Sequence, residues 1–192
     1  MRNRVVIAEG VVAVVGALLA GCAALPRGDA GQALRPPQVQ LQRVEVASYF
    51  PYAPPPARVP LILAFIYNIT NPNGVAVGLE DFKFTVAFEA VGKGEFFPLI
   101  TPIVYERLWT PPGITNQLRV TATLDSLIVP ATLAVSAGVR VQRIGLKPGE
   151  MVKDWWEKIG DFAYGIRVTE GTALFTSNGL NVLSTFEGNF PK

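Results

Sequence analysis

The strongest constraint on the fold lies between Pro60 and Glu89, where two alternating segments flank the sequence Asn-Pro-Asn-Gly. The first segment, residues 61–69, carries large side chains on both faces, several of them β-branched or aromatic. This is typical of a strand in the middle of a packed sheet. The second, residues 82–89, alternates Phe and Val with mainly polar residues, which predicts a strand with one buried and one wet face. The sequence therefore predicts a sheet protein organised around these two strands.

The segment Asn71-Pro72-Asn73-Gly74 is predicted to be the turn that ends the first of these strands. Pro72 fixes its own φ and keeps Asn71 extended, while Asn73 and Gly74 tolerate positive φ. We interpret Asn71, Pro72 and Asn73 as structural turn residues.

The remaining segments predict a mainly all-β chain. Alternation predicts strands at Val39–Val46 with a bulge near Gln42-Arg43, Glu95–Ile100, Ile103–Trp109, Leu118–Leu124, Phe162–Thr169, Ala173–Thr176 and Val182–Phe190. Alternation favours a further strand within Ser126–Ile144, although its Ala and Leu content also suits a short helix. One amphipathic helix is predicted near 149–159. The expected fold is a two-sheet antiparallel β-sandwich of the fibronectin III or immunoglobulin kind.

Asn68, Asn71, Pro72 and Asn73, with the strands on either side, resemble the late-embryogenesis-abundant type 2 family, also called the water-stress and hypersensitive-response (WHy) domain. In that family an apolar strand runs into Asn-Pro-Asn and a hairpin of alternating strands follows. The resemblance covers about residues 39–190 and is patchy between 126 and 147. It implies a β-sandwich that is associated with desiccation and stress responses.

The N-terminus resembles that of a bacterial lipoprotein. A ten-residue apolar run, Val11 to Ala20, has the length of a signal-peptide core, and it ends in Leu19-Ala20-Gly21-Cys22, which is similar to a lipobox. The alternative is an ordinary secretory signal with an incidental Cys. The resemblance implies cleavage before Cys22 and acylation of Cys22, which would hold the protein on a membrane without a transmembrane helix.

This interpretation divides the chain into a signal peptide (1–21), a flexible tether (22–37) and a sandwich domain (38–192). Residues 23 and 24 are both Ala, with no Asp after the Cys. By resemblance to sorted lipoproteins of two-membrane bacteria, this favours the outer membrane, facing the periplasm.

Two groups of aromatic residues are candidate contacts for a partner or a membrane. Tyr49, Phe50 and Tyr52 lie in a segment with five prolines between Tyr49 and Pro60. This segment is expected to be an extended loop, and a stiff connector is the favoured alternative to a binding segment. Trp155 and Trp156 lie on the predicted helix, where core packing is favoured over surface contact.

Composition argues against several classes of function. The chain has no His, its only Cys is Cys22, and 17 basic against 15 acidic residues give a net charge of +2. These features predict no nucleic-acid binding, no intrachain disulfide, no metal site and no cofactor. The candidate nucleophiles Ser126, Ser136, Ser177 and Ser184 have no His to activate them. We therefore expect a protein that is not an enzyme.

Three hypotheses follow for function. The first is a non-enzymatic envelope lipoprotein with a role in desiccation or stress protection. The second is a subunit or docking module of an envelope assembly. The third is a binder or carrier of an apolar, lipid-like ligand, which would need an apolar cavity of at least about 300 Å³.

Overall fold

The computed structural model describes residues 33–191. In chain order, the described region forms β1 (Gln38–Ser48), β2 (Pro60–Thr70), β3 (Val77–Glu89), β4 (Phe96–Ile100), β5 (Ile103–Val104), β6 (Trp109–Thr110), β7 (Thr115–Asp125), α1 (Ile128–Arg143), α2 (Pro148–Lys158), β8 (Ile166–Ser177) and β9 (Leu180–Phe190). A single 3-10 turn, Ile159–Asp161, follows α2.

The strands form two antiparallel sheets, which confirms the predicted β-sandwich. The small sheet has the order β1-β2-β7, and the large sheet has the order β4-β3-β8-β9, with β5 and β6 also pairing with β3. The large sheet therefore has six strands and faces the three-stranded small sheet. As predicted, β1 contains a bulge, since Leu41 and Arg43 pair with consecutive residues of β2 and Gln42 is left over.

The core between the sheets is dominated by aromatic rings. Tyr67 of β2 lies 5.0 Å from Phe82 and 5.2 Å from Phe84, both in edge-to-face geometry, and Phe82 stacks on Phe186 at 4.8 Å. All four side chains are buried. Burial raises the pKa of the Tyr67 hydroxyl, which has no hydrogen-bond partner within the part of the chain described here. Because these buried rings contact one another across the core, apolar packing holds the two sheets together.

The two sides of the sandwich are closed differently. On one side β1 packs directly against β9, where a Cβ at Gly188 would come within 2.8 Å of Leu41. On the other side α1 covers the space between β7 and β4. There Arg140 lies 4.7 Å from the ring centroid of Phe97 and donates a 3.0 Å hydrogen bond to the carbonyl of Phe96.

The strand predicted within Ser126–Ile144 is wrong, because this segment forms α1 and the described region has two helices rather than one. Asp125 starts the helix by accepting hydrogen bonds from the N–H groups of Leu127 and Ile128 at 2.8 and 3.3 Å. Arg58 pairs with the same carboxyl at 2.6 Å and holds its pKa below the usual value. The buried face consists of residues spaced four apart, namely Val129, Leu133, Ala137 and Val141. That spacing is helical.

Two other local predictions need correction. The strand predicted at Ile103–Trp109 is reduced to the short segments β5 and β6. The two strands predicted around Gly171 form one continuous strand, β8, which carries a bulge: its pairing shifts between Val168 and Gly171 against β9 and between Thr169 and Thr172 against β3. A Cβ at Gly171 would overlap the carbonyl oxygen and ring of Phe186, so the glycine allows close backbone approach. Asn178 and Gly179, both at positive φ, form the tight turn between β8 and β9.

Candidate functional site

The Asn71-Pro72-Asn73 turn is built around the buried side chain of Asn71. Its amide nitrogen donates to the carbonyl oxygens of Val75, Thr110 and Pro111 at 2.8, 3.0 and 3.2 Å. Its oxygen accepts from both the backbone N–H and the side-chain amide of Asn73, each at 2.9 Å. The backbone of Asn71 also pairs with Gly113 and Ile114. Asn71 therefore joins the β2–β3 turn to the loop that precedes β7.

Asn73 extends this network to the first described residues of the chain. Its side-chain oxygen accepts from the N–H of Arg35 at 2.8 Å, and its amide donates to the carbonyl of Arg35 at 2.9 Å. A few residues later the carbonyl of Pro37 accepts from the buried hydroxyl of Ser184 at 2.6 Å. Residues 34–37, expected in the tether, are thus held against the domain. The Asn turn fixes the place where the preceding chain leaves the sandwich.

Trp155 and Trp156 are fully buried, so their assignment as surface contacts is wrong and the core-packing interpretation is confirmed. The indole N–H of Trp155 donates to the carbonyl of Glu89 at 2.7 Å, and that of Trp156 donates to Val59 at 3.1 Å. Trp155 also packs edge-to-face on Phe88 at 5.5 Å. Both side chains hold α2 against the strand ends, and neither can reach a membrane or a partner.

Tyr49, Phe50 and Tyr52 lie in the proline-rich loop between β1 and β2. Tyr49 and Phe50 are exposed, whereas Tyr52 is partly buried against the core. The loop ends at Val59, which exchanges hydrogen bonds with Ser126 at 2.9 and 3.1 Å. These aromatics therefore lie at the end of the sandwich where α1 begins, opposite the Asn turn.

A groove that the sequence did not predict opens on the outer face of the large sheet, beside the β8 bulge. It has a volume of about 760 Å³ and is lined mainly by polar side chains. Glu170 adopts a left-handed φ of 53°, and its carboxylate accepts a 2.8 Å hydrogen bond from Thr85, which lies 3.0 Å from the hydroxyl of Thr101. The signal in the sequence is Glu170-Gly171, which separates the predicted strands Phe162–Thr169 and Ala173–Thr176.

The candidate nucleophiles are engaged with backbone groups. The hydroxyl of Ser177 donates to the carbonyl of Ala76 at 2.7 Å, and that of Ser136 donates to the carbonyl of Thr132 at 2.8 Å. The hydroxyl of Ser184 donates to the carbonyl of Pro37, and that of Ser126 accepts from the N–H of Val59.

Within residues 33–191, no group of three or more acidic or Cys side chains could hold a metal ion. Neither helix of the described region has the length and hydropathy needed to span a bilayer. Cys22 lies outside the described residues.

No protein-family model matches this sequence, and no curated protein matches it. Among solved structures, a structural-genomics target is similar to this chain at 12% identity, with 82% of this chain and 88% of that chain covered and a TM-score of 0.44. A protein from Archaeoglobus fulgidus is similar at 12% identity, with 79% and 96% covered and a TM-score of 0.39. These similarities do not identify a family.

Proposed function

We propose that this protein is a non-enzymatic lipoprotein of the cell envelope, anchored through acylated Cys22, whose WHy-like sandwich contributes to desiccation or stress protection. The observation that carries the anchor is Leu19-Ala20-Gly21-Cys22 closing a ten-residue apolar run. The stress role is supported by the resemblance of the Asn71-Pro72-Asn73 turn and its flanking strands. The aromatic side chains that fill the space between the sheets disfavour the alternative of an apolar-ligand carrier, because that function needs an internal cavity.

The anchor is tested by the intact mass of the protein from native membranes, wild type beside Cys22→Ala. We expect a wild-type mass that starts at Cys22 and includes acyl chains, because thiol acylation needs the Cys22 sulfur. We expect the variant to lack the acyl mass and to leave the membrane fraction. An unacylated wild-type protein in the soluble fraction would contradict the anchor.

The role in stress is tested with the same two strains and a third strain that lacks the protein. Cells with wild-type protein should survive drying and rehydration better than cells that lack the protein, and cells with Cys22→Ala should resemble the latter. Equal survival of all three strains at equal protein levels would reject the stress role while leaving the anchor intact.

A second candidate, a docking module of an envelope assembly, is favoured by the solvent face of α1. Val135 and Val139 are 91% and 83% exposed, and no charged residue occurs between Ser126 and Val139. On a surface helix, the side chains that face the solvent are usually polar or charged. The proposed occupant is an envelope protein with a matching apolar groove.

This candidate is tested with a photo-crosslinking amino acid at position 135 in living cells. If α1 docks on a protein, irradiation should give one discrete crosslinked product. The same probe at the exposed position 121, on the outer face of the small sheet, should give none. Equal labelling at the two positions, or no product at either, would reject the docking module.

A further inference from the structure

Three uncharged stretches of sequence meet at one end of the sandwich. Residues 59–79, 108–118 and 171–186 contain no Asp, Glu, Lys or Arg. Their turns lie together, since Asn71 bonds to the carbonyls of Thr110 and Pro111, and Ser177 bonds to that of Ala76. We call this end, formed by residues 71–76, 108–114 and 177–181, the tether end.

The tether end exposes four large apolar side chains, namely Val75, Trp109, Ile114 and Leu180. Trp109 is 58% exposed, although its ring packs on the outer face of Gly78, where a Cβ would lie 3.3 Å from it. The backbones that carry these side chains are fixed rather than loose. The carbonyl of Val75 bonds to Asn71 at 2.8 Å, and the carbonyl of Ile114 accepts from the Asn71 N–H at 3.0 Å.

The same end is the one nearest to Cys22 along the chain. Arg35 is bonded to Asn73 at the tether end, and only residues 23–34 separate it from Cys22. Fully extended, these residues span at most about 45 Å. An anchor at Cys22 therefore keeps this end close to the bilayer, where tethering raises the effective concentration of even a weak contact.

The opposite end has a different surface. There Arg58 pairs with Asp125, and Arg140 and Arg143 both approach Glu95 at 3.6 Å. Bringing these charges into a lipid interface would cost desolvation energy. At the rim of the tether end lie Arg35, whose N–H bonds to Asn73, and the exposed pair Arg107–Glu80.

We propose that the tether end docks on the lipid bilayer that carries the anchor, with Trp109, Ile114, Leu180 and Val75 in the interfacial layer. This inference rests on the proposed acylation of Cys22. Trp is favoured at the interface because its ring is apolar while its N–H can bond to water or headgroups. The Asn, Thr and Ser side chains of the three stretches suit the same hydrated layer, and no charge has to be desolvated.

The test uses the acylated full-length protein in vesicles of phosphatidylethanolamine and phosphatidylglycerol, with or without bromine on the acyl chains. Of the three Trp residues, Trp155 and Trp156 are buried and Trp109 is exposed. Brominated lipid is therefore expected to lower the Trp109 emission roughly twofold, as for an interfacial indole. The quenchable signal should be missing in Trp109→Phe.

Two matched double variants test whether the tether end is the surface that docks on the bilayer. Ile114→Glu with Leu180→Glu should abolish the quenching, because the charges keep the tether end in water. Val135→Glu with Val139→Glu, on exposed positions of α1, should leave the quenching unchanged. Quenching that survives the first pair or is lost with the second would overturn the proposal.

Intact mass and vesicle flotation separate this proposal from the anchor on which it rests. An acylated protein that floats with the vesicles but shows no quenching of Trp109 would overturn docking and leave the anchor standing. A protein without acyl chains that does not float would remove the anchor and the docking together.

Discussion

Trp155→Ala is expected to lower the free energy of unfolding by about 3–5 kcal/mol, as for other fully buried aromatic residues that are truncated to Ala. The substitution removes the edge-to-face contact with Phe88 and leaves a cavity beneath α2. It also leaves the carbonyl of Glu89 without the 2.7 Å hydrogen bond that it accepts from the indole. The measurement is urea unfolding followed by circular dichroism.

Two further variants separate packing from hydrogen bonding. Trp155→Phe keeps most of the ring contact and loses the N–H, so it should cost about 1–2 kcal/mol. Trp109→Ala makes the same truncation at an exposed Trp and should cost less than about 1 kcal/mol, as is usual for surface sites. If Trp155→Ala lowered the free energy of unfolding no more than Trp109→Ala does, the Trp155 side chain would not be what holds α2 in place.

The strands were predictable from the sequence where one period dominated. In β3 and β7 the apolar side chains recur every second residue, and the structure buries that face. The predicted wet face of β3 is wrong in part, because Thr85 and Ala87 on that face are buried as well. In α1, Leu133 and Ala137 fit both a two-residue and a four-residue spacing. The choice between them depends on the space between β7 and β4 and on Asp125, which is paired with Arg58, 67 residues away in sequence, while it accepts from the first N–H groups of the helix. The space and the Arg58 pairing depend on tertiary structure, which a local pattern does not contain.

The candidate site was predictable only in part, for a similar reason. The position of the Asn71-Pro72-Asn73 turn follows from the local chemistry of Asn, Pro and Gly. The partners of Asn71 in the loop before β7 lie about forty residues away in sequence. The tether end likewise depends on the strand order, because only the topology brings the three uncharged stretches together.

Asn71→Asp is expected to destabilise the protein strongly at neutral pH, by about 3 kcal/mol or more, as for a buried charge without a counter-ion. The substitution keeps the size of the side chain and the oxygen that accepts from Asn73. It replaces the amide nitrogen with an oxygen that faces the carbonyls of Val75, Thr110 and Pro111 at 2.8–3.2 Å. Repulsion between these oxygens disfavours the carboxylate and raises the pKa of the new carboxyl in the folded state.

The pH dependence identifies this cause. Below the unfolded pKa of about 3.9 the carboxyl is protonated in both states, and its hydroxyl can still donate to one carbonyl. Above that pH only the unfolded state ionises. The free energy of unfolding of the variant should therefore fall further below that of wild type, by about 1.4 kcal/mol per pH unit, until the pKa of the carboxyl in the folded state is reached. Asn181→Asp, on the exposed start of β9, should show no such trend in urea unfolding between pH 4 and pH 7. A deficit of Asn71→Asp that did not change with pH would mean that lost packing, rather than the three facing carbonyls, explains the role of Asn71.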